Sequence, residues 1–495
     1  MNDMPLPCAL SLADEVRACW ANEVQSYHMP GHKGGQGAHA LATELIGAAA
    51  LRADLSEISG FDYLHSATGA VANAQCHAAR LFGARQSFFL VNGATVGNQA
   101  AVLATVGDGE RILMFRHSHR SVYAGVALAG ALPIYIDALH DADLDLATTG
   151  NVATARAALR RDPGIRAIHV TRPNYYGVCC DLAPYVVLAR QYRIPLIVDE
   201  AHGTHFAFHE AFPQSALVAG ADIVIQSPHK TLSSLTQSSL LHVNGERVDV
   251  QRLSQTLSML QSSSPSALLL LSLDIALTQM AQNGRPLWSV AIELAQALRQ
   301  RINRIGALHC YGHSLIGRAG IAALDPTKLV VDVTALGMTG FAARDWLRQH
   351  CKINPEFADL RRIVCSITIG DDTHSAAVLE SALCELVKGR AAGTVVQPKQ
   401  VGVYKRPIAA MSLRQAGGRR AVTVPRSEAI GRVAAEFVIP YPPGIPLLVP
   451  GEVIDDAVLQ VIDTLSAAGC NMVGPADRSG GTLRVLNDAG DTMPR

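Results

Sequence analysis

An α/β fold with a mostly parallel sheet is predicted for this 495-residue chain, on three observations. From about residue 81 to 245, apolar strand-like runs alternate with helical stretches, the rhythm of βα units. Two of those runs end in chemistry: Ile194–Val198 leads into Asp199-Glu200-Ala201-His202-Gly203, and Ile223–Ile225 leads into Ser227-Pro228-His229-Lys230-Thr231. A third run leads into Asn92-Gly93-Ala94-Thr95-Val96-Gly97-Asn98 and then a helical stretch. In open α/β sheets ligands bind outside the carboxyl ends of the strands, so these segments should meet at one crevice.

Taken in order, residues 1–80 read as an N-terminal arm with one early helix, about 11–24, and hold the Gly/His-rich His28–Gly35. Strands are expected at Ser87–Val91, Arg111–Phe115, Leu132–Ile136, Arg166–Thr171, Pro195–Asp199 and Asp222–Gln226. Leu253 to about Ile305 is apolar and helical. Lys328–Val333, Phe341–His350 and Ile363–Ile369 then give strand, helix, strand. Lys388–Arg426 carries nine Lys/Arg and no Asp/Glu, with Pro and Gly. It reads as a connection with little regular structure, presenting a solvated basic face or meeting an acidic partner. The expected division is 1–80 arm, 81–315 large domain, 316–390 small α+β domain, and 391–495 basic linker with a C-terminal domain.

Composition narrows the function. Lys+Arg and Asp+Glu are both 42, which argues against nucleic acid as a partner. Hydrophobic residues make up 49% and charged residues 17%, enough for a large core and apolar subunit interfaces. The ten Cys follow neither a disulfide nor a zinc pattern, so no metal is expected and a cytoplasmic setting is the simplest. The N-terminus shows no secretory signal, and the run Ala267–Leu271 is too short to span a membrane.

A lysine and a carboxylate converging at strand ends suit pyridoxal 5'-phosphate. Lys230 makes the Schiff base and Asp199 keeps the pyridine nitrogen protonated. Ser227 is placed for a phosphate oxygen. His229 is a phosphate or substrate contact, or simply shapes the turn. Backbone N–H groups of Ala94, Thr95 and Val96 at a helix start, with the Thr95 hydroxyl, form the phosphate cup. The turn after Arg111–Phe115 offers a histidine to lie on the ring, His119 with His117 as rival. Asn174 can reach the ring hydroxyl. Ala201 is small enough to lie under the ring, and His202 can bond a ring substituent or the substrate. Gln261–Ser266 is either a helix cap or a set of hydroxyls delivered to a second subunit's phosphate.

The same segments make the chain resemble the ornithine/lysine/arginine decarboxylases. They are HMPGHKGG at 28–35, SEISGFDYLHSATGAVANAQ at 56–75, FLVNGATVGN at 89–98, HSHRS at 117–121, TRPNYYGV at 171–178, VDEAHGTHF at 198–206, SPHKTLSSLTQSSLLHV at 227–243, QSSSPSALLLLSLD at 261–274, DPTKL at 325–329 and GRVAAEFVIPYPPGIPLLVPGE at 431–452. The resemblance implies the aspartate aminotransferase-like fold type I of pyridoxal-phosphate enzymes, with a mostly parallel seven-stranded sheet. It implies Lys230 as the cofactor lysine, Asp199 at the ring nitrogen, His119 stacked on the ring, and Ser263 or Ser264 reaching a partner's phosphate in a homodimer or larger assembly. It also implies the shorter, biosynthetic form without an N-terminal wing domain. Ala94, His117, Arg120, Ala67 and Asn174 depart from the family pattern, which opens the substrate to question. The leading expectation is α-decarboxylation of a basic amino acid, arginine before lysine or ornithine, with Glu356 and Asp359 receiving the cationic tail unless they form only a solvated loop. The alternatives are an aminotransferase-type reaction on the same cofactor and a catalytically idle scaffold.

Overall fold

The computed structural model describes residues 11–21, 25–58, 61–390, 405–441 and 443–487. Two compact units make up the chain: Met1–Thr105 with Tyr185–Trp288, and Val106–Pro184 with Ser289–Arg495.

Seven strands build the main sheet: β1 (Gln86–Leu90), β2 (Arg111–Phe115), β3 (Leu132–Ile136), β4 (Ile165–Thr171), β5 (Leu196–Asp199), β6 (Ile223–Gln226) and β7 (Ser239–Val243). All six strands expected from the sequence are present, with ends shifted by a residue at most. In the first unit the order is β1-β7-β6-β5, and in the second β4-β2-β3. The pairs β5–β6, β2–β4 and β2–β3 are parallel. Every residue of β5 and β6 is buried, as expected for strands covered on both faces.

The seventh strand, β7, pairs antiparallel with both β1 and β6. Only seven residues separate it from Thr231, the end of a single helical turn, too few for a crossover helix, so the βα rhythm does not announce it. The N-terminal segment is also more helical than expected. Besides Ser11–Ala21 it holds Ala40–Ile46, Ala48–Ala53 and Ala70–Phe82, each rich in alanine, the strongest helix former. The apolar stretch from Leu253 is two helices, Val250–Leu260 and Ala267–Ile302. The hydroxyl-rich Gln261–Ser266 separates them.

The second unit continues with a four-stranded antiparallel sheet of β8 (His309–Cys310), β9 (Lys328–Asp332), β10 (Phe357–Ala358) and β11 (Arg362–Ser366), in the order β8-β9-β11-β10. Its core gathers Tyr311, Leu315, Ile321, Val330, Phe357 and Val364. A C-terminal module pairs β12 (Ala421–Pro425) with β13 (Thr482–Leu486) beside the helix Asp456–Ala467, over Ala434, Val438, Leu448, Ile454, Val458 and Val485.

Part of the expected basic connection, 391–404, lies outside the described residues. The part that is described is more ordered than expected. Ser412 and Gln415 close a capping box on the helix Leu413–Gly417, a serine-to-glutamine spacing present in the sequence. Three of its cations are paired: Arg406 with Asp137 at 3.0 Å, Arg414 with Asp108 at 2.9 Å and Arg426 with Asp463 at 2.9 Å.

Candidate active site

The helix Gly93–Thr105 (α1) reaches its place because Gly97 has no side chain. A Cβ there would lie 2.8 Å from Leu90 Cδ1 and 2.9 Å from Ile225 Cγ2, so the helix can press directly onto β1 and β6. The turn that feeds it is clamped by one residue. Gln237 Nε2 donates to Val91 O (2.7 Å), and Gly93 N–H donates to Gln237 O (2.7 Å). Gly93 takes φ +70°, the left-handed region that glycine enters without penalty. The outcome is a helix start with Thr95 exposed; Val96 N–H, expected in the phosphate cup, instead donates to Asn92 O within the turn (3.4 Å).

Asp199 ends β5 and is 3% exposed. Its Oδ2 accepts from Asn98 Nδ2 (2.9 Å) and its Oδ1 from Ala201 N–H (3.1 Å). Burial raises its pKa above the usual carboxylate range, against the opposing pull of Asn98, nearby Lys230 and the Ala201 amide. Both hydrogen-bond donors are neutral, so a cationic N–H brought to this carboxylate would stabilise its charged form. Asn98 was not singled out as a site residue. It lies one helical turn past Thr95, within the quoted motif, and that spacing is the signal that could have found it.

Lys230 sits on the single turn Pro228–Thr231, with Nζ 3.0 Å from His202 Nε2. His202 is buried. His229 Nδ1 lies 2.6 Å from Ser238 O, and burial lowers its pKa against the pull of that carbonyl. Ser227 Oγ lies 3.3 Å from Ser239 Oγ, and both are fully buried. Ala201 is buried directly after the Asp199–Glu200 corner. Behind these residues runs a buried polar chain. Gln226 Nε2 donates to Glu200 Oε2 (2.8 Å), His242 Nε2 meets Gln226 Oε1 (3.1 Å), and Ser87 Oγ meets His242 Nδ1 (2.7 Å). It fastens β1, β7 and β6 to the residue that follows Asp199. Ser263 and Ser264 are exposed, and Ser264 Oγ donates to Glu57 Oε1 (3.1 Å).

The remaining expected residues belong to the second unit. His119 caps the helix Arg120–Ala129 (α2), its Nδ1 accepting from Ser121 N–H (3.2 Å). Its rival His117 stacks on Phe115 with centroids 4.8 Å apart, and burial lowers its pKa to about 4. Asn174 uses its amide on its own turn: Oδ1 accepts from the N–H groups of Tyr176 and Val178, each at 3.0 Å, and Nδ2 donates to Thr148 O (3.0 Å). Glu356 is exposed. Asp359 accepts from Arg362 Nη1 (2.9 Å) and Tyr176 Oη (2.8 Å), so its charge is already partnered. Among the described residues no group of three or more His, Cys, Asp or Glu could hold a metal ion, and no helix is long and apolar enough to cross a membrane.

A lysine, a buried carboxylate whose hydrogen-bond donors are both neutral, and a helix start match the three demands of pyridoxal 5'-phosphate: an amine for the aldehyde, an acceptor for the ring nitrogen and a cradle for the phosphate. Fold and site together define a fold type I pyridoxal-phosphate enzyme. Residues 18–375 match the Orn/Lys/Arg decarboxylase major domain, and residues 403–474 match that family's C-terminal domain. The chain belongs to the Orn/Lys/Arg decarboxylase family, whose activity is decarboxylation of basic amino acids. It is similar to an arginine decarboxylase of Halalkalibacterium halodurans, 39% identical over 94% of this chain and 95% of that one. It is also similar to an arginine decarboxylase of Bacillus subtilis, 38% identical over 93% and 94%. Among solved structures, the lysine decarboxylase LdcF of Francisella novicida superposes with a TM-score of 0.85 over 97% of this chain and 82% of that one. At 19% identity, that likeness speaks to the fold alone.

Proposed function

We propose that this enzyme decarboxylates arginine. The supporting observation is 38–39% identity to proteins named arginine decarboxylase, over more than nine-tenths of both chains. In this reading Lys230 holds the cofactor, Asp199 accepts from its ring nitrogen and His119 lies on its ring. Ser227, His229, the Thr95 hydroxyl and the N–H groups of Ala94 and Thr95 bind its phosphate. The bound cofactor supplies an electron sink for the pair left when carbon dioxide departs. Lys230 and His202, 3.0 Å apart, can share a proton and deliver it to the α-carbon. Asn98 fixes Asp199 from one side so that the other faces the ring nitrogen. Glu356, exposed where Asp359 is held by Arg362 and Tyr176, is the better placed of the two acidic residues to meet a guanidinium. The exposure of Ser263 and Ser264 supports delivery of their hydroxyls to a second subunit, and hence a homodimer or larger assembly. We keep 81–315 as the cofactor domain and 316–390 as the small domain.

The test feeds arginine, lysine and ornithine separately to the cofactor-loaded enzyme and measures carbon dioxide and amine. Carbon dioxide from arginine well above the other two supports the proposal. Preference for lysine or ornithine overturns the substrate assignment, and a ketoacid without carbon dioxide overturns the reaction. Cofactor absorbance that survives unchanged in Lys230→Ala would overturn the anchor.

A further inference from the structure

The C-terminal module touches the loop that carries His119. Arg120 N–H donates to Gly444 O (3.2 Å), and Gly444 N–H donates to Pro440 O (2.9 Å). A Cβ on Gly444 would lie 3.1 Å from His119 Cδ2 and 3.3 Å from its Nε2. Two sides of the imidazole are therefore met by different parts of the chain. Ser121 N–H donates to Nδ1, and Gly444 closes on Cδ2 and Nε2. Gly444 takes φ +86°, where a side chain is strained.

A clamp one residue past β2 holds this wall in place. Arg116 is 8% exposed. Its Nη1 donates to Pro446 O (2.7 Å) and Tyr123 Oη (2.8 Å), and its Nη2 to Leu447 O (3.1 Å) and Glu452 Oε2 (3.3 Å). Glu452, 2% exposed, returns an acceptor to Val449 N–H (2.9 Å). Arg116 and His119 lie on one short loop, so the clamp and the wall act on the same turn. A ring free about χ2 samples a broad range. Here Ser121 N–H at Nδ1 and Gly444 beside Cδ2 and Nε2 narrow that range.

We propose that the C-terminal module is a positioning element for the cofactor: Gly444, held by the Arg116–Glu452 clamp, sets the plane of the His119 ring. The inference rests on reading His119 as the ring-stacking residue.

The test is a double-mutant cycle of Gly444→Ala and His119→Ala, read as the rate of cofactor dissociation and as the circular dichroism of the bound cofactor. If Gly444 acts through His119, Gly444→Ala speeds dissociation roughly tenfold in the parent, and by less than about twofold when His119 is already Ala. Equal effects in both backgrounds, or no effect in the parent, overturn the proposal and leave the reading of His119 intact. A His119→Ala enzyme with unchanged dissociation and dichroism overturns the reading itself, and the proposal with it. Should Gly444→Ala fail to fold, Glu452→Gln takes its place in the same cycle, because it loosens the clamp without adding volume.

Discussion

Asp274→Asn should stabilise the enzyme at neutral pH and do nothing in acid. Asp274 lies in the helix Ala267–Ile302, is 1% exposed, and accepts from Leu12 N–H at the start of Ser11–Ala21 (3.1 Å). Burial is the largest cause raising its pKa from 3.8 to about 6, and Asp14 adds repulsion against the single amide. The folded protein therefore holds this proton between pH 3.8 and about 6, where the unfolded chain has released it. Stability falls as pH rises through that window and stays lowered above it. A shift of roughly two units is worth about 3 kcal/mol. Asparagine keeps an oxygen for Leu12 N–H and carries no charge, so the variant should gain up to about 3 kcal/mol at pH 7.5 and nothing near pH 4. Urea unfolding of both proteins across that range measures the difference, and hydrogen exchange at Ser11–Ala21 localises it. A gain that is equal at pH 4 and 7.5, or a loss at pH 7.5, would refute the reasoning.

Asn98→Asp would set a second carboxylate where the amide donates to Asp199 at 2.9 Å. Cofactor affinity should fall about 10- to 100-fold, in keeping with loss of a hydrogen bond to a charged group, as read by titration of the apoenzyme. Gly97→Ala forces a methyl between Leu90 and Ile225 and should cost about 1–3 kcal/mol in thermal unfolding. Burial holds the His242 pKa at about 3, so the folded state keeps this ring neutral. Its contribution is present above pH 6.5 and is lost as pH falls toward 3. His242→Leu strands Ser87 and Gln226 and should cost about 1–3 kcal/mol at pH 7.5, with a shallower acid limb.

Six of the seven strands of the main sheet, the turn carrying Lys230 and the position of Asp199 were legible in sequence, because strand periodicity and strand-end chemistry are local. A buried apolar run ending in a charged residue has few structural options. Asn98 was visible only as part of a motif: its role depends on a helix packed closely enough, through Gly97, to bring its amide to a strand end 101 residues further along the chain. β7 escaped because an antiparallel return needs no crossover helix and so leaves no rhythm.

From the sequence alone came the sheet, the lysine–aspartate pair and the family, since each is written in short contiguous segments. Tertiary structure alone decided which donors Asp199 receives, that Asp359 is held by Arg362 and Tyr176, and that a glycine more than 300 residues beyond His119 backs its ring. Those are contacts between residues far apart along the chain. Packing chooses such partners, and no local pattern records them.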